Sequence, residues 1–392
     1  MADFPHSEYS LKDVKRAGEI ITGAHLLSPE ILEAFKVANN WRQSHAYPMR
    51  SIRHQLISYM RVRGIHGVTG ARLKRMQAIR RKLNRLGLHL NQLQDLGGCR
   101  AIVPQTSDIK SLVQALIQKS RHILRQNGSV DYIEVPKPDG YRSHHLIFTY
   151  RGLGAASIYT DRRIEIQIRT QLQHSWATAV EAVGLVRGEY LKGNQGSADW
   201  LRFFKLISAE FALAEDCPEP PDVPAQSQRL DEIRQLDKRL EATATLENLS
   251  HIVRWSDISV KAVKPTYYLI IYDNATNKVA VEPYFAPKNA MEHYEIAEAR
   301  DTRAGGDTAN IVLVEADKMD LVREAYPNYF GDVQMFKKQL RNITQGNGAR
   351  DFVVKPQETA KPTPRENVDF AALRRWITGG YIFGPFSGPR KG

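Results

Sequence analysis

The segment at residues 163–170, Arg-Ile-Glu-Ile-Gln-Ile-Arg-Thr, constrains the fold of this chain more than any other stretch. Its isoleucines alternate with polar residues, and successive side chains of a β-strand point to opposite faces, so the pattern predicts a strand with one apolar and one polar face. An ordinary antiparallel strand whose polar face meets water has the same alternation. Two further polar clusters, at residues 132–145 and 173–181, favour a functional site instead. The polar side chains of the segment are Glu165, Gln167 and Arg169.

Length and composition set the outer bounds. The chain has 392 residues, of which 42% are hydrophobic, and this predicts two packed domains. It contains no apolar run long enough to span a bilayer, and its first residues lack the features of a signal peptide, so we expect a cytoplasmic protein without membrane contact. Two cysteines, Cys99 and Cys217, are too few for a disulfide framework. The twelve histidines show no metal-binding spacing, and a structural metal is not expected.

The charge balance indicates a polyanionic partner. The chain has 55 Lys and Arg against 43 Asp and Glu, a formal net charge of +12. Such an excess attracts nucleic acid through counterion release and electrostatic steering. It is also compatible with a purely solubilising surface charge. A nucleotide substrate alone would not require so much positive surface, and this favours RNA.

A strongly basic segment follows the N-terminal helices. Residues 71–85 read as one helix, because Leu73, Met76, Ile79 and Leu83 recur at helical spacing and would form a buried stripe. The remaining positions carry many cations, which commonly mark a solvated helix face. Guanidinium and ammonium groups in such number would equally suit a triphosphate.

Two short segments downstream carry further candidate groups. Gly97 and Gly98 predict a tight bend before a buried strand, with Asp95 and Arg100 on either side of that bend. The prolines and glycine in residues 136–140 exclude regular structure and indicate a constrained loop.

These segments, from Arg72 to Glu181, resemble in content and order the synthetase domain of the RelA/SpoT family. Members of this family transfer pyrophosphate from ATP to a ribose hydroxyl. The resemblance implies that Asp95 and Glu165 hold Mg²⁺, and that Glu165 also draws the proton from the attacking hydroxyl. It implies an ATP-binding set of Arg72, Lys74, Lys82, Arg85 and Arg100.

The resemblance extends to the acceptor side of the reaction. The tyrosine of the constrained loop, Tyr141, would stack on the acceptor base. Gln167, Arg169 and His174 would orient the reacting groups. His144 stands where the family usually has leucine, and the acid at Glu181 is displaced by one position. The implied acceptor-binding set is Lys137, Tyr141, Arg142 and His145.

The order of elements predicts an α+β fold with a mixed, mostly antiparallel sheet and flanking helices, followed by a second small ββαβα domain. The predicted divisions are a synthetase domain at 1–215, a proline-rich linker and connecting helix at 216–250, a regulatory domain at 251–345 and a flexible basic tail at 346–392. The connecting helix is expected at about 229–250, and a short helix within the tail at 371–377.

Tyr326 and Tyr329 stand near the end of the second predicted domain. Without context they indicate packing at a helix terminus. The arrangement as a whole, however, resembles the fused toxin–antitoxin branch of the RelA/SpoT family, the CapRel-type phage-defence proteins. That resemblance implies that this Y-x-x-Y motif occludes the nucleotide site until a phage protein binds.

Three functions remain open on the sequence. The first is pyrophosphate transfer to the 3′ end of tRNA by an autoinhibited toxin. The second is an alarmone synthetase that acts on GDP or GTP. The third is a non-catalytic RNA-binding sensor, which both retained acids, Asp95 and Glu165, argue against.

Overall fold

The computed structural model describes residues 4–23, 28–193, 195–252, 254–255, 265–276, 278–303, 308–330 and 332–347. Twelve α-helices and nine strands lie within these ranges, joined in part by short 3₁₀ turns. The helices are α1 Leu11–Gly23, α2 Pro29–Gln43, α3 Ala46–Val62, α4 Met76–Leu86, α5 Thr106–Lys119, α6 Gln171–Arg187, α7 Ala198–Ala214, α8 Gln226–Leu240, α9 Ala242–Ile252, α10 Pro287–Arg303, α11 Met319–Ala325 and α12 Gln334–Thr344. The strands are β1 Val68–Leu73, β2 Gly97–Val103, β3 Ile123–Asp131, β4 His144–Thr149, β5 Arg163–Thr170, β6 Arg254–Trp255, β7 Tyr267–Asp273, β8 Lys278–Tyr284 and β9 Ala309–Glu315.

The described strands form one sheet in the order β3-β4-β5-β2-β1-β9-β7-β8-β6. Strands β2 and β5 run parallel, as do β6 and β8, and the other neighbouring pairs are antiparallel. The fold is therefore α+β with a mixed, mostly antiparallel sheet, as the sequence predicts. Strand β5 is almost central in its half of the sheet, and its three isoleucines are fully buried.

The sheet has a packed core on each face. Side chains of α3, α5 and α10 cover one face and meet the isoleucines of β5 there. Residues of α11 and of the turn after it cover the opposite face of β1, β9 and β7. The polar side chains of β5 point to this second face, which is where the candidate site lies.

Local sequence explains how the chain turns at the end of β5. The Thr170 hydroxyl accepts a hydrogen bond from the Gln173 backbone N–H at 3.2 Å, and the Gln173 side chain accepts one from the Thr170 N–H at 3.2 Å. This reciprocal cap satisfies two N–H groups that a helix start would otherwise leave free. Helix α6 ends at Gly188, whose φ of 65° suits glycine.

Two predictions about the first half are wrong in part. Residues 71–73 belong to β1 rather than to a helix, because β1 pairs with β2 along its whole length, and only residues 76–86 are helical. Gly97 and Gly98 do not make a tight bend but begin β2, where both glycines are paired with β1 and β5.

The second ββαβα unit has the predicted order of elements, in β7, β8, α10, β9 and α11. Its strands join the first sheet, because β9 pairs with β1 at Ala71↔Glu315 and Arg72↔Val314. A separate second domain is therefore not confirmed, and the predicted domain boundaries stay predictions.

The region between the two units packs against helices of the first unit and does not form a free, extended linker. The predicted single helix at 229–250 is wrong, because Glu241 adopts a φ of 49° and separates α8 from α9. Arg229 of α8 is fully buried and pairs with Glu210 of α7 and with Glu219. Helices α6, α7, α8, α9 and α12 share one hydrophobic cluster. The last helix thus packs on the first half of the chain.

The predicted tail, apart from residues 346–347, and its helix at 371–377 lie outside the described residues. In the part of the chain that the structure describes, none of the helices is long and apolar enough to cross a membrane.

Candidate active site

Strand register brings the predicted site residues together in two rows across the sheet. In one row, Arg72 of β1 lies opposite Gly98 of β2, which lies opposite Glu165 of β5. In the next row, Gly70 lies opposite Arg100, which lies opposite Gln167, which lies opposite His145 of β4. Residues two apart on a strand share a face, so both rows point toward the face that carries the polar side chains of β5.

Two lysines hold the first predicted acid. Asp95 lies just before β2. Its Oδ2 pairs with Lys74 Nζ and with Lys82 Nζ, each at 2.7 Å. Burial alone would raise the pKa of Asp95, but these two ammonium groups lower it below its usual value. The other oxygen, Oδ1, is buried and finds no hydrogen-bond partner among the described residues.

The second predicted acid belongs to a closed ring of hydrogen bonds. Glu165 meets His145 Nδ1 at 3.1 Å and accepts from Gln167 Nε2 at 2.9 Å. Arg169 Nη2 donates to Gln167 Oε1 at 2.7 Å and to the Tyr141 hydroxyl at 3.1 Å. The Tyr141 hydroxyl lies 2.8 Å from His145 Nε2 and closes the ring. Each member restrains its neighbours, so the ring fixes the rotamers of all five side chains.

The ring and the lysines keep Glu165 ionised. Burial would raise the pKa of Glu165, but the hydrogen bond with His145 and the nearby Lys74 and Lys82 hold it well below its usual range. Asp95 comes shortly before Gly98 in the chain, and Gly98 of β2 is paired with Glu165 of β5. A carboxylate with a low pKa is a good cation ligand and a weak proton acceptor.

Residues after β9 cover the cationic part of the site. The Tyr326 ring lies under two guanidinium groups, with its centre 5.1 Å from Arg100 Cζ and 5.5 Å from Arg72 Cζ. The Tyr329 hydroxyl accepts a hydrogen bond from Arg72 Nη1 at 3.1 Å. Both tyrosines are buried, so they are not free at the surface.

Backbone carbonyls of the same segment form hydrogen bonds with two more site residues. Arg100 Nη1 donates to the Ala325 carbonyl at 2.7 Å, and His174 Nε2 lies 3.1 Å from the Glu324 carbonyl oxygen. Burial and the nearby Arg100 and Arg169 hold the pKa of His174 well below its usual value, so its ring is neutral and Nε2 carries the donated proton. The predicted orienting residue His174 thus contacts the C-terminal unit in this structure.

A glycine permits this close cover. A β-carbon at Gly70 would lie 2.9 Å from Tyr326 Cε2 and 3.0 Å from the Ala325 β-carbon. Distances this short require one of the two segments to move. Gly70 therefore lets α11 approach β1.

Some predicted site residues lie elsewhere. Arg142 is buried and its Nη1 pairs with Glu215 at 2.7 Å, so its predicted acceptor-binding role is not supported by its position. Arg85 is exposed in the last turn of α4, one turn beyond Lys82. Lys137 Nζ lies over the rings of Tyr132 and Tyr141, 4.4 Å and 5.0 Å from their centres, and so stays beside the acceptor loop.

Glu181 is a further acid of the site, to which the motif pattern assigned no role. Glu181 of α6 pairs with Lys192, and Arg72 and Arg100 also lower its pKa, although burial opposes them. Because Glu181 is displaced by one position from the family pattern, the resemblance did not place it in the site. Arg72 of β1 and Arg100 of β2 are far from Glu181 in sequence, so the pattern of α6 alone could not indicate that they lie near it.

An apolar cleft opens beside Tyr141. It is narrow, and its space of about 20 Å³ has room for about one water molecule. Helices α6 and α7 supply most of its wall, and Glu181 and Lys192 supply polar groups. Its aromatic residues are Tyr141, Trp176 and Phe204.

The two acids fit a hard divalent cation. Asp95 offers a buried carboxylate oxygen that has no partner within the described part of the chain, and Glu165 is held ionised. Such oxygens are the ligands that Mg²⁺ prefers, usually together with phosphate oxygens. The predicted pair Asp95 and Glu165 is therefore a chemically suitable donor set.

The chain is similar to known proteins over the region that carries these residues. Residues 71–184 match the family described as "Region found in RelA / SpoT proteins". The chain is 35% identical over 116 residues to GTP pyrophosphokinase YwaC of Bacillus subtilis (strain 168), a match that covers 28% of this chain and 54% of that protein. It is 26% identical over 162 residues to the GTP pyrophosphokinase of Escherichia coli (strain K12), covering 40% of this chain and 20% of that protein.

Solved structures give similar matches. Small alarmone synthetase 2 from Bacillus subtilis matches with a TM-score of 0.39 and 25% identity, over 45% of this chain and 93% of that one. A GTP pyrophosphokinase family protein from Streptococcus pneumoniae matches with a TM-score of 0.39 and 21% identity, over 55% and 98%. The chain spans about half the length of the first curated relative and about a fifth of the second. The match to the region found in RelA / SpoT proteins covers residues 71–184 of this chain.

Proposed function

We propose that this chain transfers pyrophosphate from ATP to a ribose hydroxyl. In this reaction the hydroxyl oxygen bonds to the β-phosphorus, the bond between the α,β-bridging oxygen and the β-phosphorus breaks, and AMP leaves. The observation that carries the proposal is the meeting of Asp95 and Glu165 with Lys74, Lys82 and other cations on one sheet face. Positioning and charge neutralisation account for most of the catalysis of phosphoryl transfer, and this face offers both.

The cations would bind the triphosphate. Lys74 and Lys82 converge on Asp95, while Arg72 and Arg100 present their guanidinium groups from neighbouring strands. Guanidinium and ammonium groups form charge-assisted hydrogen bonds with phosphate oxygens. Phosphate would then take the place that Tyr326 and the Ala325 carbonyl occupy here.

Asp95 and Glu165 would hold Mg²⁺, which when bound neutralises charge on the phosphates and polarises the phosphorus. The hydrogen-bond ring would keep Glu165 turned toward the same place. Because the ring lowers the pKa of Glu165, it suits this carboxylate for binding a cation better than for drawing a proton.

The acceptor would bind at Tyr141, on the constrained loop. A nucleobase could stack there on aromatic side chains, while the ribose reaches the Glu165 ring of hydrogen bonds. The 3′ end of tRNA is the acceptor that we propose, supported by the net charge of +12 and by the resemblance to toxin–antitoxin proteins. GDP or GTP is the second candidate, supported by relatives named GTP pyrophosphokinase.

The C-terminal unit would act as an antitoxin in the same chain. Its residues 324–329 contact Arg72, Arg100 and His174, which are three predicted site residues. Tyr326 and ATP phosphates would compete for the same guanidinium groups. A phage protein that binds the open arrangement more tightly would shift the population and release the site.

The test uses ATP labelled at the γ-phosphate with total tRNA, GDP or GTP as acceptor. The full chain and its Tyr326→Ala/Tyr329→Ala variant are compared, because the tyrosines cover the site. Label that forms on intact tRNA, but not on tRNA whose 3′ ribose was oxidised with periodate beforehand, supports the proposal. Label on GDP or GTP alone assigns the second function, and no label on any of them contradicts both.

A further inference from the structure

A second group of catalytic-type side chains lies at the edge of the sheet, on β3 and β4. The Ser129 hydroxyl lies 3.0 Å from His144 Nε2, and His144 Nδ1 lies 3.2 Å from Asp131 Oδ2. His144 is the residue that departs from the family pattern, where leucine is usual. None of these three residues takes part in the site described above.

The hydrogen-bond partners fix the direction of each bond. Asp131 Oδ1 accepts from the backbone N–H groups of Ile133 and Glu134, at 2.9 Å and 3.2 Å. Burial would raise the pKa of Asp131, but these bonds and His144 hold it at about 2, so the carboxylate is ionised. The neutral His144 tautomer with its proton on Nδ1 donates to Asp131, and Nε2 of that tautomer accepts the proton of the Ser129 hydroxyl. This order is that of a nucleophile, a base and an orienting acid.

The backbone supplies a donor beside the nucleophile. Among the strands that the structure describes, β3 is at the edge of the sheet. Tyr132 N–H donates to the Ser143 carbonyl across to β4, and the register runs without a break from Asp131 back to Ser129. Residues of an antiparallel strand alternate in the side to which their N–H points, so the Ser129 N–H points away from β4. An N–H at the nucleophile itself is one way to stabilise an oxyanion.

Space for a substrate lies next to this group. Asp131, His144 and the exposed side of α5 line an open cleft with a volume of about 330 Å³. Val113 and Ile117 give it apolar wall, while Lys110 adds a positive charge. Ser129 is exposed beside the cleft. The cleft would suit an ester with a small apolar acyl group.

We propose that Ser129, His144 and Asp131 form a second catalytic centre that hydrolyses an acyl ester. Ser129 Oγ bonds to the ester carbonyl carbon as its proton moves to His144 Nε2. The carbon–oxygen bond to the alcohol breaks, and the alcohol leaves with that proton. Water then attacks the acyl-serine and gives a proton to His144, which returns it to Ser129 Oγ as the acid departs.

The test is labelling of the full chain with a fluorophosphonate probe, which forms a phosphorus–oxygen bond to an activated serine with loss of fluoride. Peptide mass spectrometry should find the adduct on Ser129, and hydrolysis of p-nitrophenyl acetate should fall about a hundredfold or more in Ser129→Ala and His144→Leu. Ser107→Ala is the matched control, because Ser107 is an exposed serine of α5. Glu165→Gln should leave labelling unchanged, which separates this centre from the pyrophosphate-transfer site.

Two results would overturn the proposal. One is the absence of an adduct on Ser129 in the folded wild-type chain. The other is an adduct that forms at the same rate in His144→Leu. Ser129→Ala removes a single exposed oxygen atom, so its circular dichroism spectrum and melting temperature should match those of the wild type and show that lost activity is not lost structure.

Discussion

The Tyr326 ring centre lies 5.1 Å from Cζ of Arg100, within the range of a cation–π contact. Tyr326 comes from the segment after β9, and Arg100 lies in the middle of β2. The contact therefore joins the C-terminal unit to the strand that follows Asp95. It places an aromatic ring where a phosphate would otherwise meet a guanidinium group.

Removal of both tyrosines should activate the enzyme. Each contact of this type contributes about 0.5–2 kcal/mol, so Tyr326→Ala/Tyr329→Ala should favour the open arrangement and increase the initial rate of label transfer several-fold or more. Cells that express this variant should grow more slowly than cells that express the wild type at the same protein level. Tyr284→Ala is the control, because Tyr284 lies on β8 and bonds to Glu282 and His293. Equal rates in the double variant and the wild type would remove the autoinhibition hypothesis.

A single methyl group at Gly70 should have a similar effect. In Gly70→Ala the new β-carbon would lie 2.9 Å from the Tyr326 ring, so the segment after β9 must move or dock less tightly. We expect a higher rate of label transfer and a lower apparent KM for ATP. Gly23→Ala is the matched control, since a β-carbon there meets nothing within 4 Å. Unchanged kinetics in Gly70→Ala would mean that the cover accommodates the methyl group without opening.

Neutralising either acid should abolish transfer. Asp95→Asn and Glu165→Gln keep the size of each side chain but weaken the cation site, which should raise the barrier by several kcal/mol. Label transfer would then fall by about a thousandfold, measured in the Tyr326→Ala/Tyr329→Ala background. Glu33→Gln on the exposed surface of α2 is the control. Near-normal transfer in both variants would show that the site assignment is wrong.

The C-terminal unit should also stabilise the first half of the chain. Arg53 of α3 is fully buried and pairs with Glu315 at 3.4 Å and with Asp317 at 3.0 Å. Glu315→Ala leaves a buried guanidinium short of a partner, which should cost about 3–5 kcal/mol of unfolding free energy in urea titrations. Asp317→Ala should cost less than about 1 kcal/mol, because that carboxylate is largely exposed. Similar losses in both variants would argue against this buried pair as a stabilising contact.

Periodicity was sufficient to predict β5 and the face that carries Glu165, Gln167 and Arg169. The alternation of buried and exposed positions is local, so the sequence displays it directly. It was insufficient at residues 71–73, where apolar residues at helical spacing continue into α4. Pairing of β1 with β2 and β9 decides that segment, and neither partner is adjacent to it in sequence.

The same limit applies to the candidate site. Motif resemblance named Arg72, Lys74 and Asp95 together. The structure brings them together from β1, from the loop after β1 and from the loop before β2. The resemblance could not place Arg142, whose guanidinium pairs with Glu215, 73 positions later in the chain. Contacts over such separations depend on tertiary packing, which a motif does not encode.

The identity of the two reaction products tests the central claim most directly. The Tyr326→Ala/Tyr329→Ala variant is incubated with ATP, Mg²⁺ and each acceptor, and the products are followed by ³¹P NMR. Pyrophosphate transfer predicts AMP in equal amount to an acceptor that carries two new phosphates, with both products lost in Glu165→Gln. Formation of ADP with a singly phosphorylated acceptor, or no AMP with tRNA, GDP and GTP alike, would contradict the account.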